Sequence, residues 1–261
     1  MTLFETQASA TVVDEPPAIR LDNVTKRFGR RGQETTALQN VSIDVRAREF
    51  LCIVGRSGCG KSTLLNLIAG LDSPSDGTID VGDRRVGMMF QEASLFPWLT
   101  VRGNIDLALK LSGVPRDGRS ERVEELLEIV QLPGAGRKRP HELSGGMRQR
   151  VALARTLAQD CQILLMDEPF AALDAITRDA MHEQTERIWA LRDLTVVFVT
   201  HNVREAARLA DRVIVMKPSP GRIGAETTID LSRPRRMEDL NVAEAAAELH
   251  DLLEGVEATD D

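Results

Sequence analysis

The stretch from Glu49 to Gly70 constrains this chain more than any other. An apolar, strand-sized run, Glu49–Val54, leads into Gly55-Arg56-Ser57-Gly58-Cys59-Gly60-Lys61-Ser62. The composition of Lys61–Ala69 predicts a helix that ends at Gly70. The octet fits the pattern GxxxxGK[ST] in full, with the strand before it and the helix after it that the pattern needs. Glycines at these places let backbone N–H groups curl around phosphate oxygens without Cβ clashes. The helix start adds the positive end of its dipole. Lys61 is expected to reach the β- and γ-phosphates of a nucleotide, Ser62 to ligate Mg²⁺, and Thr63 to add a phosphate contact. Cys59, inside the loop and beside a lysine, reads either as a small filler or as an easily alkylated thiol.

The rest of the chain supplies a setting for that loop. Ile19–Phe28 and Ala37–Val45 alternate apolar and polar residues and read as antiparallel strands. Thr78–Val81 and Val86–Phe90 read as short strands. Helical patterns come next at Val101–Leu111, Ser120–Val130 and Gly146–Ala158, a helical insertion over about 92–158. Strand and helix then alternate: Ile163–Asp167, Asp174–Leu191, Thr195–Thr200, Asn202–Ala210 and Val213–Lys217. This alternation predicts an α/β fold with a parallel sheet, beside an antiparallel β subdomain and the helical insertion. Residues 1–17, ending in Pro16-Pro17, read as a mobile tail; 18–224 read as one domain; 225–261 read as an extension with an acidic helix near Asp239–Glu254.

A second chemical feature closes the strand Ile163–Asp167. Its apolar residues end in Asp167 and Glu168. Parallel strands deliver ligand-binding residues at their carboxyl ends, so both acids are expected beside the phosphate loop. Asp167 would hold Mg²⁺, and Glu168 would polarise the attacking water as general base.

The charge balance narrows the partners. With Lys+Arg 33 against Asp+Glu 40, the net charge is -7, which argues against nucleic acid as a main partner. Cys52, Cys59 and Cys161 have neither disulfide nor metal-ligand spacing and read as reduced thiols. The first residues lack the basic start and apolar run of a signal peptide. No apolar run approaches the ~20 residues that span a bilayer, so at a membrane another chain must supply the membrane part.

Leu143-Ser144-Gly145-Gly146-Met147-Arg148-Gln149-Arg150 separates this chain from other phosphate-loop sequences. Ser144 is expected to cap a helix whose first N–H groups point outward, an anion site with no anion of its own chain. Here the sequence resembles the ABC ATPase family, whose signature reads LSGGQ; Met147 stands where Gln is usual. The remaining family motifs appear in order. Phe28 matches the aromatic that stacks on adenine. Gln91 matches the loop glutamine that senses Mg²⁺ and the water. Asp174 matches the loop that crosses the dimer interface, and His201 matches the switch histidine at the γ-phosphate.

The resemblance implies an ATPase acting as one half of an ATP-sandwich dimer. In it, Ser144, Gly145 and Gly146 of one copy face the nucleotide bound at Gly55–Thr63 of a second copy. It further implies transmembrane permease subunits as partners, a place on the cytoplasmic face of the membrane, and a solute-binding protein acting through the permease. Phe96-Pro97-Trp98-Leu99-Thr100-Val101 resembles the importer-type stretch near the docking groove, and Met166-Asp167-Glu168-Pro169-Phe170, Ala172-Leu173-Asp174-Ala175, Pro218-Ser219-Pro220-Gly221-Arg222-Ile223 and Arg233-Pro234-Arg235 together resemble the nitrate/sulfonate/taurine importer subfamily. A soluble assembly scaffold built on the same cassette remains the alternative. A module that binds ATP without hydrolysing it fits poorly with the intact set of Lys61, Asp167, Glu168 and His201.

Overall fold

The computed structural model describes residues 16–30 and 33–258. The expected N-terminal tail lies, up to residue 15, outside the described residues. In chain order the elements are β1 (Ile19–Phe28), β2 (Thr35–Val45), β3 (Phe50–Val54), α1 (Lys61–Ile68), β4 (Asp76–Asp80) and β5 (Val86–Met89). Next come α2 (Val101–Leu111), α3 (Arg116–Ile129), α4 (Gly145–Leu157), β6 (Ile163–Asp167), α5 (Ala175–Arg192), β7 (Thr195–Thr200), α6 (Val203–Leu209), β8 (Arg212–Lys217), β9 (Arg222–Thr228) and α7 (Leu240–Ala258).

Two sheets organise them. One is antiparallel with the order β2-β1-β4, and the other has the order β5-β6-β7-β3-β8-β9. In the larger sheet β5 through β8 pair in parallel, and β9 closes the edge antiparallel to β8. Strand β3 shows why the core has two faces. Side chains alternate across a strand, so Phe50, Cys52 and Val54 enter one core with the helices, while Leu51 and Ile53 enter the other, between the sheets. Phe198 on β7 stacks between Phe50 and Phe170, with ring centroids 6.1 and 5.9 Å away.

Two elements differ from the expectation. Helix α3 begins at Arg116, ahead of the expected Ser120, because its first turn, Arg116-Asp117-Gly118-Arg119, has no apolar residue to reveal a helical period. Strand β9 has no counterpart among the expected strands. It is a half-exposed edge strand with no fully buried residue, so it lacks the alternating apolar pattern that marks a strand.

The turn into β9 packs directly on the phosphate loop. Gly221 N–H donates to Ala37 O and Gln39 N–H to Gly221 O, each at 2.9 Å. A Cβ at Gly221 would stand 2.2 Å from the Cys59 carbonyl oxygen, so only glycine allows this approach. The later arginines stitch the C-terminal segment to the body. Arg235 Nη1 donates to the carbonyls of Ala207, Arg208 and Ala210 at 3.1, 3.3 and 2.6 Å, satisfying the open end of α6. Arg233 lies 4.5 Å over the Trp189 ring and pairs with Glu186 and Asp211. Helix α7 then buries Val242, Ala246 and Leu249 in the core that α6 shares. No helix among the described residues is long and apolar enough to cross a membrane.

Candidate functional site

The register of the large sheet assembles the site. Val54 pairs with Thr200, Ile53 with Val199, and Asp167 with Val199. The carboxyl ends of β6, β7 and β3 therefore lie side by side. The next residues along the chain from these three ends, Glu168, His201 and Gly55, emerge on one edge of the sheet.

Helix α1 starts without a side-chain cap. Its N-cap, Gly60, has φ 96°, and a Cβ there would meet Leu38 at 2.6 Å. The first N–H groups of α1 are thus not claimed by a cap and remain available to an anion. Lys61 is 5% exposed, and its Nζ donates to the carbonyls of Gly55 and Arg56 at 2.7 and 3.0 Å. These bonds curl the ammonium back over the loop, whose Arg56, Ser57 and Gly58 are exposed. Ser62 is exposed and Thr63 half-buried at the start of α1.

Cys59 corrects one expectation. Its side chain is fully buried, with Sγ 3.8 Å from Lys61 Nζ. Burial pushes the thiol pKa up, against the smaller lowering influence of Lys61. The prediction is the reverse of easy alkylation: native Cys59 should react with iodoacetamide at least tenfold more slowly than a free thiol at the same pH. Mass spectrometry of the alkylated chain before and after denaturation checks it.

The acids at the end of β6 are in different surroundings. Asp167 is half-buried, and desolvation raises its pKa; a hydrogen bond from Ser62 opposes that, the nearby Glu168 charge adds to it, and Lys61 opposes it. Glu168 has φ 43°, the left-handed region that costs a non-glycine residue on the order of 1–3 kcal/mol. The strain is held by Glu168 N–H donating to Val199 O at 3.0 Å. It turns the carboxylate towards β7, where Oε2 lies 2.7 Å from His201 Nδ1. That ring is more than half exposed and the carboxylate mostly covered. A carboxylate and an imidazole thus share one short contact beside the phosphate loop.

A Ser62 hydroxyl against a partly desolvated Asp167 carboxylate suits a hard cation. Mg²⁺ takes oxygen donors, commonly one or two carboxylates together with substrate phosphates. A cation here would favour the charged carboxylate and offset the burial that raises the Asp167 pKa.

The signature residues stand elsewhere. Ser144 caps α4, its Oγ accepting from Met147 N–H at 3.3 Å. Gly146 is buried, with Thr177 of α5 filling the space a side chain would need. Helix α4 packs on β5, the outer strand, while the phosphate loop extends from β3, three strands across. At ~4.8 Å per strand the two strands stand roughly 14 Å apart. Gln91 lies just after β5 and is exposed, and its carbonyl accepts from Gln149 Nε2 at 2.8 Å. A cavity of about 400 Å³ is lined by Gln91, Gly145, Gln149 and Leu173. Asp174 caps α5, accepting from Thr177 N–H and Oγ1 at 3.0 and 2.7 Å, which holds its carboxyl below the usual range. Phe28 is 46% exposed at the end of β1, with Lys26 Nζ 4.9 Å from its ring centre.

One group at the site is not legible in the sequence. Thr200, Glu205 and His182 form a buried polar cluster behind His201, with half-buried Arg178 at its edge. Asn202 with Glu205 three residues later looks like a capping box, an ordinary helix start. Asn202 does cap, accepting from Arg204 N–H, but Glu205 turns inward and is 5% exposed.

Comparison with known proteins agrees with this geometry. A family model described as ABC transporter matches residues 38–171. The nitrate import ATP-binding protein of Synechocystis is 48% identical over 210 residues, 78% of this chain and 79% of that protein. The aliphatic sulfonates import ATP-binding protein of Bacillus subtilis is 43% identical over 227 residues, 84% of this chain and 87% of that protein. A taurine import ATP-binding protein of Mesorhizobium japonicum is 46% identical over 214 residues, 79% and 82% of the two chains. Among solved structures, a dimeric post-hydrolysis state of an ATP-binding cassette bound to ADP and Pi superimposes with a TM-score of 0.71 at 33% identity. It covers 82% of this chain and 100% of that one. With the phosphate loop, acid pair and signature each on its element, the chain belongs to the ABC transporter family, as an ATP-binding and ATP-hydrolysing subunit that powers a membrane transporter.

Proposed function

We propose that the chain drives an importer of a small solute of the nitrate, sulfonate or taurine kind, from the cytoplasmic face of the membrane. The observation that carries its chemistry is the 2.7 Å contact of Glu168 with His201 beside the phosphate loop. Residues 18–224 are the catalytic domain, with the helical insertion over about 92–158, and 225–261 are an extension on it.

Gly55–Thr63 cradle the nucleotide phosphates with backbone N–H groups, and Lys61 turns from its own carbonyls to the β- and γ-oxygens. Phe28 offers its exposed ring to the adenine. Ser62 and Asp167, with Gln91, are the residues to hold Mg²⁺, which when bound neutralises charge on the phosphate oxygens. Glu168 takes a proton from the attacking water, and His201 orients it and the γ-phosphate. Ser144, Gly145 and Gly146 serve a second copy: the wide spacing of α4 from the phosphate loop supports a sandwich in which two chains share two nucleotides. Asp174 lies at the junction of that sandwich.

The membrane partner has a candidate seat. Phe90, Phe96, Trp98 and Leu111 are exposed large apolar side chains in one region, with Phe96 and Trp98 rings 5.4 Å apart. A cavity of about 390 Å³ is lined by Phe90, Phe96, Leu107 and Leu111, beside Arg155. Apolar patches of this kind mark interaction surfaces. A short permease helix is the proposed occupant, joined through the permease to an external solute-binding protein.

Detergent-solubilised membranes carrying tagged Glu168→Gln chain, purified with ATP and Mg²⁺, test this. A multi-spanning protein is expected to co-purify in stoichiometric amount. A soluble partner alone would overturn the transporter reading in favour of an assembly scaffold.

A further inference from the structure

The switch histidine stands on an exposed turn between β7 and α6. The His201 side chain reaches Glu168 at 2.7 Å. The residues around it are anchored from beneath. Thr200, 2% exposed, donates its hydroxyl to Glu205 Oε2 at 2.5 Å and accepts from Asn202 N–H at 3.0 Å. The first bond ties the end of β7 to α6, and the second closes the turn over His201.

Glu205 is itself held from several sides. Its Oε1 lies 3.4 Å from His182 Nε2 and 3.8 Å from Arg178 Nε. Burial alone would raise its pKa, but the close His182 ring, the Thr200 hydrogen bond and the Arg178 charge lower it, so the carboxylate is the form present. Arg178 also donates to Phe170 O at 3.3 Å and Leu173 O at 2.7 Å. One buried carboxylate therefore stands between the His201 turn and the 170–174 segment that leads into Asp174. On the far side, His182 Nδ1 meets Arg208 Nη1 at 3.4 Å, and Asp179 lies 3.2 Å from the same guanidinium nitrogen.

We propose that Thr200 and Glu205 are positioning residues for His201, setting the turn that brings its ring to Glu168. The proposal rests on His201 and Glu168 being the hydrolytic pair described above. Without the Thr200 hydroxyl, a buried carboxylate oxygen and the Asn202 N–H both lose a partner, and the turn has no reason to keep His201 at 2.7 Å from Glu168. Misplacement of a catalytic group by about 1 Å costs on the order of a hundredfold in rate. The phosphate loop on β3 makes none of these bonds, so nucleotide binding is spared.

The experiment is single-turnover and steady-state ATPase measurement on purified full-length chain. The variants are Thr200→Val, Thr200→Ser, His201→Ala and the Thr200→Val/His201→Ala double. Thr200→Val puts a methyl in place of the hydroxyl at nearly the same volume. It is expected to lower kcat roughly ten- to a hundredfold with KM for ATP within about twofold. Thr200→Ser should recover most of the loss. The double variant should be no slower than His201→Ala, since residues acting through one another are not additive.

A Thr200→Val kcat within twofold of wild type, or a loss that adds to that of His201→Ala, overturns the inference alone. Wild-type turnover in His201→Ala overturns the hydrolytic pair and the inference with it. Should Thr200→Val melt below the assay temperature, Glu205→Gln takes its place. That variant still accepts from Thr200 but loses the charge facing Arg178 and His182. It should lose turnover in wild type and none further beside His201→Ala; an additive loss counts against the inference.

Discussion

Glu168→Gln is expected to lower ATP turnover by about 10²–10⁴-fold, the usual contribution of a general base, while leaving ATP affinity nearly unchanged. The amide is isosteric with the carboxylate, so the strained backbone at φ 43° and its hydrogen bond to Val199 O have no reason to move. Contact with His201 survives, because an amide both donates and accepts. The capacity to take a proton from water disappears. The phosphate loop extends from a different strand, β3, and keeps its cradle. The arrested chain should therefore accumulate as an ATP-loaded pair. Phosphate release measured at saturating ATP, with size-exclusion chromatography for the dimer, checks both halves. Wild-type turnover would remove Glu168 from the role of base.

Lys61→Ala should act on binding first. The ammonium is 5% exposed and holds Gly55 O and Arg56 O. Its loss leaves two carbonyls of the loop without that donor and takes a full positive charge from a site built for phosphates. A charge-assisted hydrogen bond contributes about 1.5–3 kcal/mol, and a phosphate oxygen left without that donor adds to the loss. Together these give roughly a hundred- to a thousandfold weaker ATP binding. Lys61→Arg should not restore it, because a planar fork does not fit where a compact ammonium folds back on its own loop. Titration with a fluorescent ATP analogue, alongside far-ultraviolet circular dichroism to show an intact fold, reads the effect. Unchanged affinity would count against Lys61 as the phosphate ligand.

Much of the site is legible in the sequence because its chemistry is written in short windows. Gly55–Ser62 needs only its neighbours to be a phosphate loop, since backbone conformation and helix start are local properties. Met166-Asp167-Glu168 reads from an apolar run that ends in acid, and Ser144 from its place before a helix. Cys59 misleads for the opposite reason. A thiol beside Lys61 looks activated in sequence, but its burial decides its pKa. Strand β9 is hidden because an edge strand with no fully buried residue carries no apolar period. The same holds for Glu205, whose position three residues after Asn202 suits a helix cap as well as a buried hub.

The sequence by itself determined which chemical group ends each strand, and that a phosphate loop, a signature turn, an acid pair and a histidine occur in this order. Hydrophobic period and turn chemistry are set by neighbours along the chain, so these features survive without a fold. Only the tertiary structure decided that β6, β7 and β3 are adjacent and in register, bringing Glu168 to 2.7 Å from His201 beside Gly55, and that α4 lies three strands away. Strand order depends on how crossover helices pack on both faces of the sheet, a non-local balance of burial that no short window contains.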